Sequence, residues 1–460
     1  MGGFSSFALS FSIISVLTGI VTTYDVAIGG GGPAALGIGW PIVSVGTLLV
    51  ALAMAELASA FPTAGALYHW SAILGGPGWG WFTASMNIAG QIAIVAAIDL
   101  GCASTLVGTA GLPDERLLPT FFAVLAAHGV VNVISVRLVG WLNDLSAAVH
   151  VVGVLVLVIA LVWGRAQPPG YVFHTGFTTR ADGSFALGFV NALALGMYTF
   201  TGFDASAHVS EETHDPARRA PWGIVTSVAV SAVAGYALAC AITLGIHDLP
   251  AIAGGPQPAL AVLRHALGDG GGRAVMAFAV VAMWFCGLSA VTSASRTIFA
   301  FARDGGLPGS RLLRQVAPRT RTPHLAILAA VSLPALLVLG TRGLSDRVFA
   351  AATSLATTAL YVSYATPIAL GAVARRAGRW HRLGPWNLGR AGVPIAWAAV
   401  AWSAVVLAVF AVPPNTGLAL VLLGLVAALA VAWVAIVRRR FVGPRVAIAE
   451  LERGDDLSAR

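Results

Sequence analysis

From Asn191 to Pro221 the chain reads Asn-Ala-Leu-Ala-Leu-Gly-Met-Tyr-Thr-Phe-Thr-Gly-Phe-Asp-Ala-Ser-Ala-His-Val-Ser-Glu-Glu-Thr-His-Asp-Pro-Ala-Arg-Arg-Ala-Pro. It starts as an apolar run of the kind that crosses a bilayer, yet Thr201, Gly202, Phe203 and Asp204 stand in its middle. A lipid-facing helix satisfies its backbone only by being continuous, and a carboxylate at its centre costs about 3 kcal/mol or more unless it is partnered. The stretch therefore predicts a membrane segment that is interrupted where something other than lipid meets it.

The rest of the chain has the same character. It is 57% hydrophobic and only 10% charged, whereas a soluble domain carries about a quarter charged residues. The apolar stretches run about 20 residues each and lack the alternation of barrel strands, so an all-α membrane protein is expected. Breaks rich in charge, Gly or Pro divide it into twelve segments: 7–29, 38–60, 79–108, 118–138, 142–164, 186–208, 222–246, 274–301, 323–340, 347–373, 392–412 and 416–437. Residues 1–440 read as one transmembrane domain, followed by a short tail over 441–460.

All 27 basic residues are arginines. The net charge of +8 invites a nucleic-acid reading, but the arginines fall in short loops between apolar segments. Counting alternate loops puts twenty on the side of both termini and seven on the other. By the positive-inside rule both ends are cytoplasmic, in a multi-pass protein of the cell membrane. Met1-Gly2-Gly3-Phe4-Ser5-Ser6 lacks the basic start of a cleavable leader. Cys102, Cys240 and Cys286 occupy three different apolar spans without CxxC spacing and read as core residues.

The first segment repeats the pattern of the sixth. Thr18-Gly19 sits at its middle, Thr22, Thr23, Tyr24 and Asp25 follow, and it runs into Gly29-Gly30-Gly31-Gly32-Pro33. Two interrupted segments, each first in a group of five, are the sequence pointer to an inverted-repeat transporter.

Met54-Ala55-Glu56-Leu57-Ala58-Ser59-Ala60-Phe61-Pro62-Thr63-Ala64-Gly65-Ala66-Leu67-Tyr68 closes the second segment. This stretch resembles the amino acid/polyamine/organocation (APC) permeases, as do two others. One is Phe200 to Asp204 with Glu211-Glu212-Thr213 and Pro216; the other is Ser295-Arg296-Thr297-Ile298-Phe299-Ala300-Phe301-Ala302-Arg303-Asp304-Gly305-Gly306-Leu307-Pro308. Ser10 to Gly19 and Gln91 to Asp99 are similar to the amino acid/choline branch, which includes permeases for γ-aminobutyrate (GABA) and choline. The resemblance implies a five-plus-five inverted-repeat (LeuT-like) fold, with one repeat over about 7–164, the other over about 186–373, helices one and six unwound at the substrate site, and the segments over 392–437 outside the repeat.

In such a fold the half-helix N-termini near Gly19 to Thr22 and Phe203 to Ala205 suit a carboxylate, and the carbonyl ends near Ser15 to Thr18 and Tyr198 to Thr201 suit an ammonium group. Thr18, Gly19, Thr22, Tyr198, Thr201, Gly202, Phe203 and Asp204 are thus the candidate substrate-binding residues. Asp204 reads either as an N-cap of the second half of helix six or as a cation or proton site. Asp99 in the third segment reads as a pairing or coupling group. Ser289 and Thr292 read either as ion ligands or as small residues of a helix interface. Glu56 reads as a link between loops, Asp25 as a vestibule acid and Asp144 as a helix cap.

His208, Glu211, Glu212 and His214 lie at helical spacing without a metal motif and read as a solvated helix end; neither metal nor cofactor is expected. The implied function is secondary active import of a small amino acid or amine, with a proton preferred to sodium as the coupling ion. An exchanger and a non-transporting sensor of the same fold are the alternatives. A tail without a signalling domain weighs against the sensor, and the lack of a nucleophile and base on neighbouring spans weighs against an enzyme.

Overall fold

The computed structural model describes residues 2–255, 257–342, 348–413 and 416–444, and the regular elements among them are all helical. In chain order the α-helices are α1 (Gly3–Ile14), α2 (Val16–Ala34), α3 (Trp40–Ala60), α4 (Leu67–Gly75), α5 (Pro77–Ala110) and α6 (Leu117–Ile134). Next come α7 (Val136–Trp163), α8 (Phe185–Ala192), α9 (Ala194–Thr199), α10 (Ala205–His208), α11 (Pro216–Leu244) and α12 (Leu249–Gly254). The last six are α13 (Pro258–Arg303), α14 (Ser310–Leu313), α15 (His324–Arg342), α16 (Val348–Arg376), α17 (Gly392–Val409) and α18 (Thr416–Ala435). Arg347 and the tail from residue 445, with Arg445, Arg453 and Arg460, lie outside the described residues.

Ten helical runs among the described residues are long and apolar enough to cross a bilayer, where the sequence led to twelve. The difference has two sources. The first two expected segments join into one run, Gly3–Ala60, of 58 residues. At about 1.5 Å per residue it would span nearly three bilayer cores if straight, so it has to fold, and it does so at Ser15 and at Gly32, whose φ of 58° precedes Pro33. The sixth segment is the short run Phe185–Thr199. The eighth begins sooner than its apolar stretch, because α13 takes up residues 258–273 across a bend at Gly268.

At the centre stands α5, against α16, α13, α4 and α6, while α1 meets α7, α11 and α13, and α2 meets α8, α9 and α13. None of the residues of α18 is buried. The helix touches the bundle only along one half-buried side, through Leu429, Ala432 and Trp433, and a helix of Leu, Val and Ala exposed over its remaining surface is stable where its surroundings are apolar, which is the position of a helix in lipid.

Both described ends of the chain lie at one end of the bundle. Gly3 sits beside Arg219 at the start of α11, Ser59 at the end of α3 donates to Ala217 O, and Phe441 packs on Tyr68 and Phe301. Ion pairs bind this end together. Arg303 donates twice to Glu211, at 3.0 Å each, and Arg296 meets Glu212 at 3.3 Å. Burial pushes the Glu211 carboxyl up, but the hydrogen bonds and charge of Arg303, with smaller help from His69 and the Ala64 backbone, together leave the group below its ordinary value. Glu56 links loops, as expected: Arg375 donates to Oε2 at 2.7 Å and the Leu388 amide to Oε1 at 3.0 Å.

Candidate functional site

The first break lies at Ser15, not at Thr18-Gly19. Ser15 has φ 30° and ψ 81°, a left-handed conformation that ends α1 at Ile14 and starts α2 at Val16. Its hydroxyl caps the new helix, accepting from the Thr18 amide at 3.3 Å and meeting Thr18 Oγ1 at 2.6 Å. His150, on α7, reaches the same oxygen with Nε2 at 2.8 Å while its Nδ1 lies 2.8 Å from Ser146 O. A carbonyl only accepts, so Nδ1 carries the proton and the neutral ring takes the Ser15 hydroxyl on Nε2. Gly19 to Thr22, expected to present free amides, are already inside α2: the Gly19 amide bonds Ser15 O, and the Thr22 hydroxyl bonds Thr18 O at 2.7 Å. The Thr-Gly pair stays helical because the hydroxyls that reach its carbonyls, those of Thr22 and Thr23, come from the same helix, whereas Ser15 has both its own cap and His150.

The second break falls where the polar run suggested. Helix α9 ends at Thr199 and α10 begins at Ala205, with Gly202 at φ 93° between them, where a β-carbon would also overlap Ile13 Cγ2. The freed backbone finds partners on other helices. Tyr364 OH accepts the Gly202 amide at 3.2 Å, and the Ser10 hydroxyl both donates to Phe203 O at 2.8 Å and accepts the Ser206 amide at 2.9 Å. The expected anion site at Phe203 to Ala205 is weak for a physical reason: α10 is a single turn of 4 residues, so it has little aligned dipole to offer.

Asp204 stands at the N-cap position of α10, but it is fully buried and its side chain makes no capping bond. Its Oδ1 accepts from Tyr364 OH at 2.8 Å; its Oδ2 takes Asn87 Nδ2 at 3.3 Å and His208 Nε2 at 3.1 Å. His208 is accordingly no part of a solvated helix end; it is 1% exposed and lies one helical turn from the acid it meets. Phe203 packs on the Tyr364 ring at 5.0 Å between centroids.

Residues from both breaks wall one small cavity of about 10 Å³: Ile13, Ile14, Thr18 and Gly19 from the first, Tyr198, Thr199 and Thr201 from the sixth segment, closed by Ile94, Ile98 and Cys286. That is room for about one water. The Tyr198 hydroxyl is buried without a hydrogen-bond partner. Thr22 lies instead in a much larger cavity of about 550 Å³, with Asp25, Asp114, Glu115 and Phe349. Tyr198 and Phe349 meet edge-on at 6.4 Å, each lining one of the two spaces. Gly202, Phe203 and Asp204 line neither.

Of the coupling candidates, Asp99 is buried against His128 of α6, with Nδ1 to Oδ2 at 3.1 Å. Ser289 donates to Asn143 Oδ1 at 2.6 Å and Thr292 to Asn132 Oδ1 at 2.8 Å, so both hydroxyls join α13 to α7 and α6. No group of three or more metal-ligating side chains occurs among the described residues. Sequence reasoning missed Ser10, Asn87, His128, His150, His208 and Tyr364. Only His208 had a local signal, its spacing of four from Asp204; the rest lie on other segments.

Comparison with known proteins gives a consistent picture. A family model described as "Amino acid permease" matches residues 1–436. The chain is similar to amino-acid permease BAT1 of Arabidopsis thaliana, 35% identical over 96% of this chain and 92% of that protein. The BAT1 homolog of Oryza sativa subsp. japonica is 36% identical over 89% of this chain and 84% of its own. An uncharacterized amino-acid permease of Schizosaccharomyces pombe is 31% identical over 96% and 86%.

Proposed function

The chain belongs to the amino acid permease family, and from that premise we propose that it is a secondary active transporter that imports a small amino acid or amine, such as GABA, together with a proton. Transport proceeds by alternating access in a fold of twelve crossings, built from two inverted groups of five helices and two outer ones. The observation that carries the reading is the shared wall: residues of two unwound segments, about 180 positions apart in the chain, face one cavity deep in the bundle.

The chemistry of that wall suits an amino acid. The first turn of α2, a helix of 19 residues, brings Thr18 and Gly19 to the wall, and although their amides are bonded to Ser15, the positive end of the helix dipole there favours a carboxylate. The carbonyl end of α9 and the unpartnered Tyr198 hydroxyl favour an ammonium group and a polar tail. At about 10 Å³ the cavity takes no amino acid without moving its walls, so binding and rearrangement are one event. The cavity of about 550 Å³ is the approach from outside, and the ion-paired end that carries both described termini faces the cytoplasm, where its arginines belong.

Uptake by purified protein in liposomes tests this, with a panel of labelled amino acids, GABA and choline, with and without an imposed proton gradient. Gradient-driven accumulation of one class is the expected result. Uptake only into vesicles preloaded with substrate would replace import by exchange, and saturable binding without flux would replace transport by sensing.

A further inference from the structure

Asp99 of α5 and His128 of α6 form a buried pair on helices other than the two that break. Each keeps a polar atom without a hydrogen-bond partner, Oδ1 of the acid and Nε2 of the imidazole. Gly287 of α13 makes their seat, since a β-carbon there would overlap Asp99 Oδ1 and crowd the imidazole. The Trp284 ring lies 5.1 Å from the imidazole. Cys102 one turn along α5, Cys286 from α13 and Tyr198 from α9 lie within electrostatic reach of Asp99, and none of the three carries a positive charge.

Two protonation levels are open to such a pair. With the acid ionised and the ring neutral it holds a net negative charge in an apolar interior, an expensive arrangement without a cation beside it. One more proton makes the pair neutral overall, either as a neutral acid beside a neutral ring or as an ion pair. Oδ1 and Nε2 are the atoms left to receive it. Asp204 differs in having a partner on each oxygen, Tyr364 on Oδ1 and Asn87 and His208 on Oδ2.

The pair also sits next to the cavity that the two breaks share. Ile98 and Cys286 line that cavity, and each is the chain neighbour of a member of the pair's seat, Asp99 and Gly287. We propose that Asp99 and His128 are the proton-binding site that drives transport. One proton joins Oδ1 or Nε2 from the side to which the cavity opens and leaves to the opposite side after the walls rearrange; no bond to the substrate forms or breaks. This rests on the proton-coupled reading above.

The test uses full-length protein in liposomes and a mixture of labelled amino acids and GABA. A gradient of one pH unit, inside alkaline, supports up to about tenfold accumulation for one proton per substrate. Wild type is expected to approach that limit, whereas Asp99→Asn and His128→Gln should accumulate nothing above equilibrium while still exchanging label at equal pH on both sides, within about threefold of the wild-type rate. Gradient-driven accumulation in Asp99→Asn at the wild-type level would overturn the proposal. So would loss of exchange in both variants, which would assign the pair to the fold. Wild-type exchange without accumulation would remove proton coupling and this site with it, and a wild type that moves no label would instead refute the transport reading itself.

Discussion

Replacing Tyr364 by Phe removes one hydroxyl and, with it, two buried contacts: the acceptor of the Gly202 amide and the donor to Asp204 Oδ1. The ring can stay where it is, against Phe203 and Tyr361, so the change is chemical and leaves no large hole. An orphaned buried amide costs about 1–3 kcal/mol, and a lost bond to a charged acceptor about 1.5–3 kcal/mol. Together the variant should be destabilised by about 3–5 kcal/mol. Unfolding in mixed detergent micelles, followed by tryptophan fluorescence, reads this directly. Asp204→Asn in the same background closes a double-mutant cycle. Because the two side chains share a hydrogen bond, a coupling of about 1–2 kcal/mol is expected, against about 0.5 kcal/mol for independent sites. A Tyr364→Phe cost below about 1 kcal/mol, or no coupling to Asp204, would mean that the helix-six break is held by something other than this hydroxyl.

Gly202→Leu combines a left-handed φ with an overlap on Ile13; it should abolish substrate binding in a scintillation-proximity assay, and an unaltered affinity would show that the turn is not part of the site. Glu211→Gln addresses the arginine-rich end. The Glu211 carboxyl is held below its ordinary value, so its contribution is present above the unfolded-state pKa and fades as pH falls through the folded value. The variant should melt earlier than wild type near neutral pH and alike only once the pH has fallen below the lowered folded-state value of the carboxyl. A difference that persists unchanged into acid would point to packing and not to the ion pair with Arg303.

The order of the apolar segments, the helical class and the break at residues 200–204 were all legible from residue type alone. Each follows from local chemistry: twenty apolar residues suit one crossing, and a Gly beside a carboxylate suits none of it. The family motifs around Glu56, Asp204 and Arg303 were legible for the same reason, being contiguous. Partners across the bundle were not. Asn87, His150 and Tyr364 are ordinary polar residues within their own segments, and only the packing brings them to Asp204 and Ser15.

The first break shows the division most plainly. By sequence alone, Thr18-Gly19 was as good a place to unwind as any, because glycine permits a bend. A permitted bend is taken only where the freed amides and carbonyls find other partners, and inside α2 the extra donors to Thr18 O and Gly19 O, the Thr22 and Thr23 hydroxyls, belong to the helix itself. At Ser15 the Thr18 amide goes to the serine's own hydroxyl, which His150, 135 residues away, holds in place, and Cys286 Sγ donates to Ile13 O. Composition and local pattern therefore determined that this chain crosses a membrane in interrupted helices, while tertiary hydrogen bonding decided where the first interruption falls and which partners each buried acid meets.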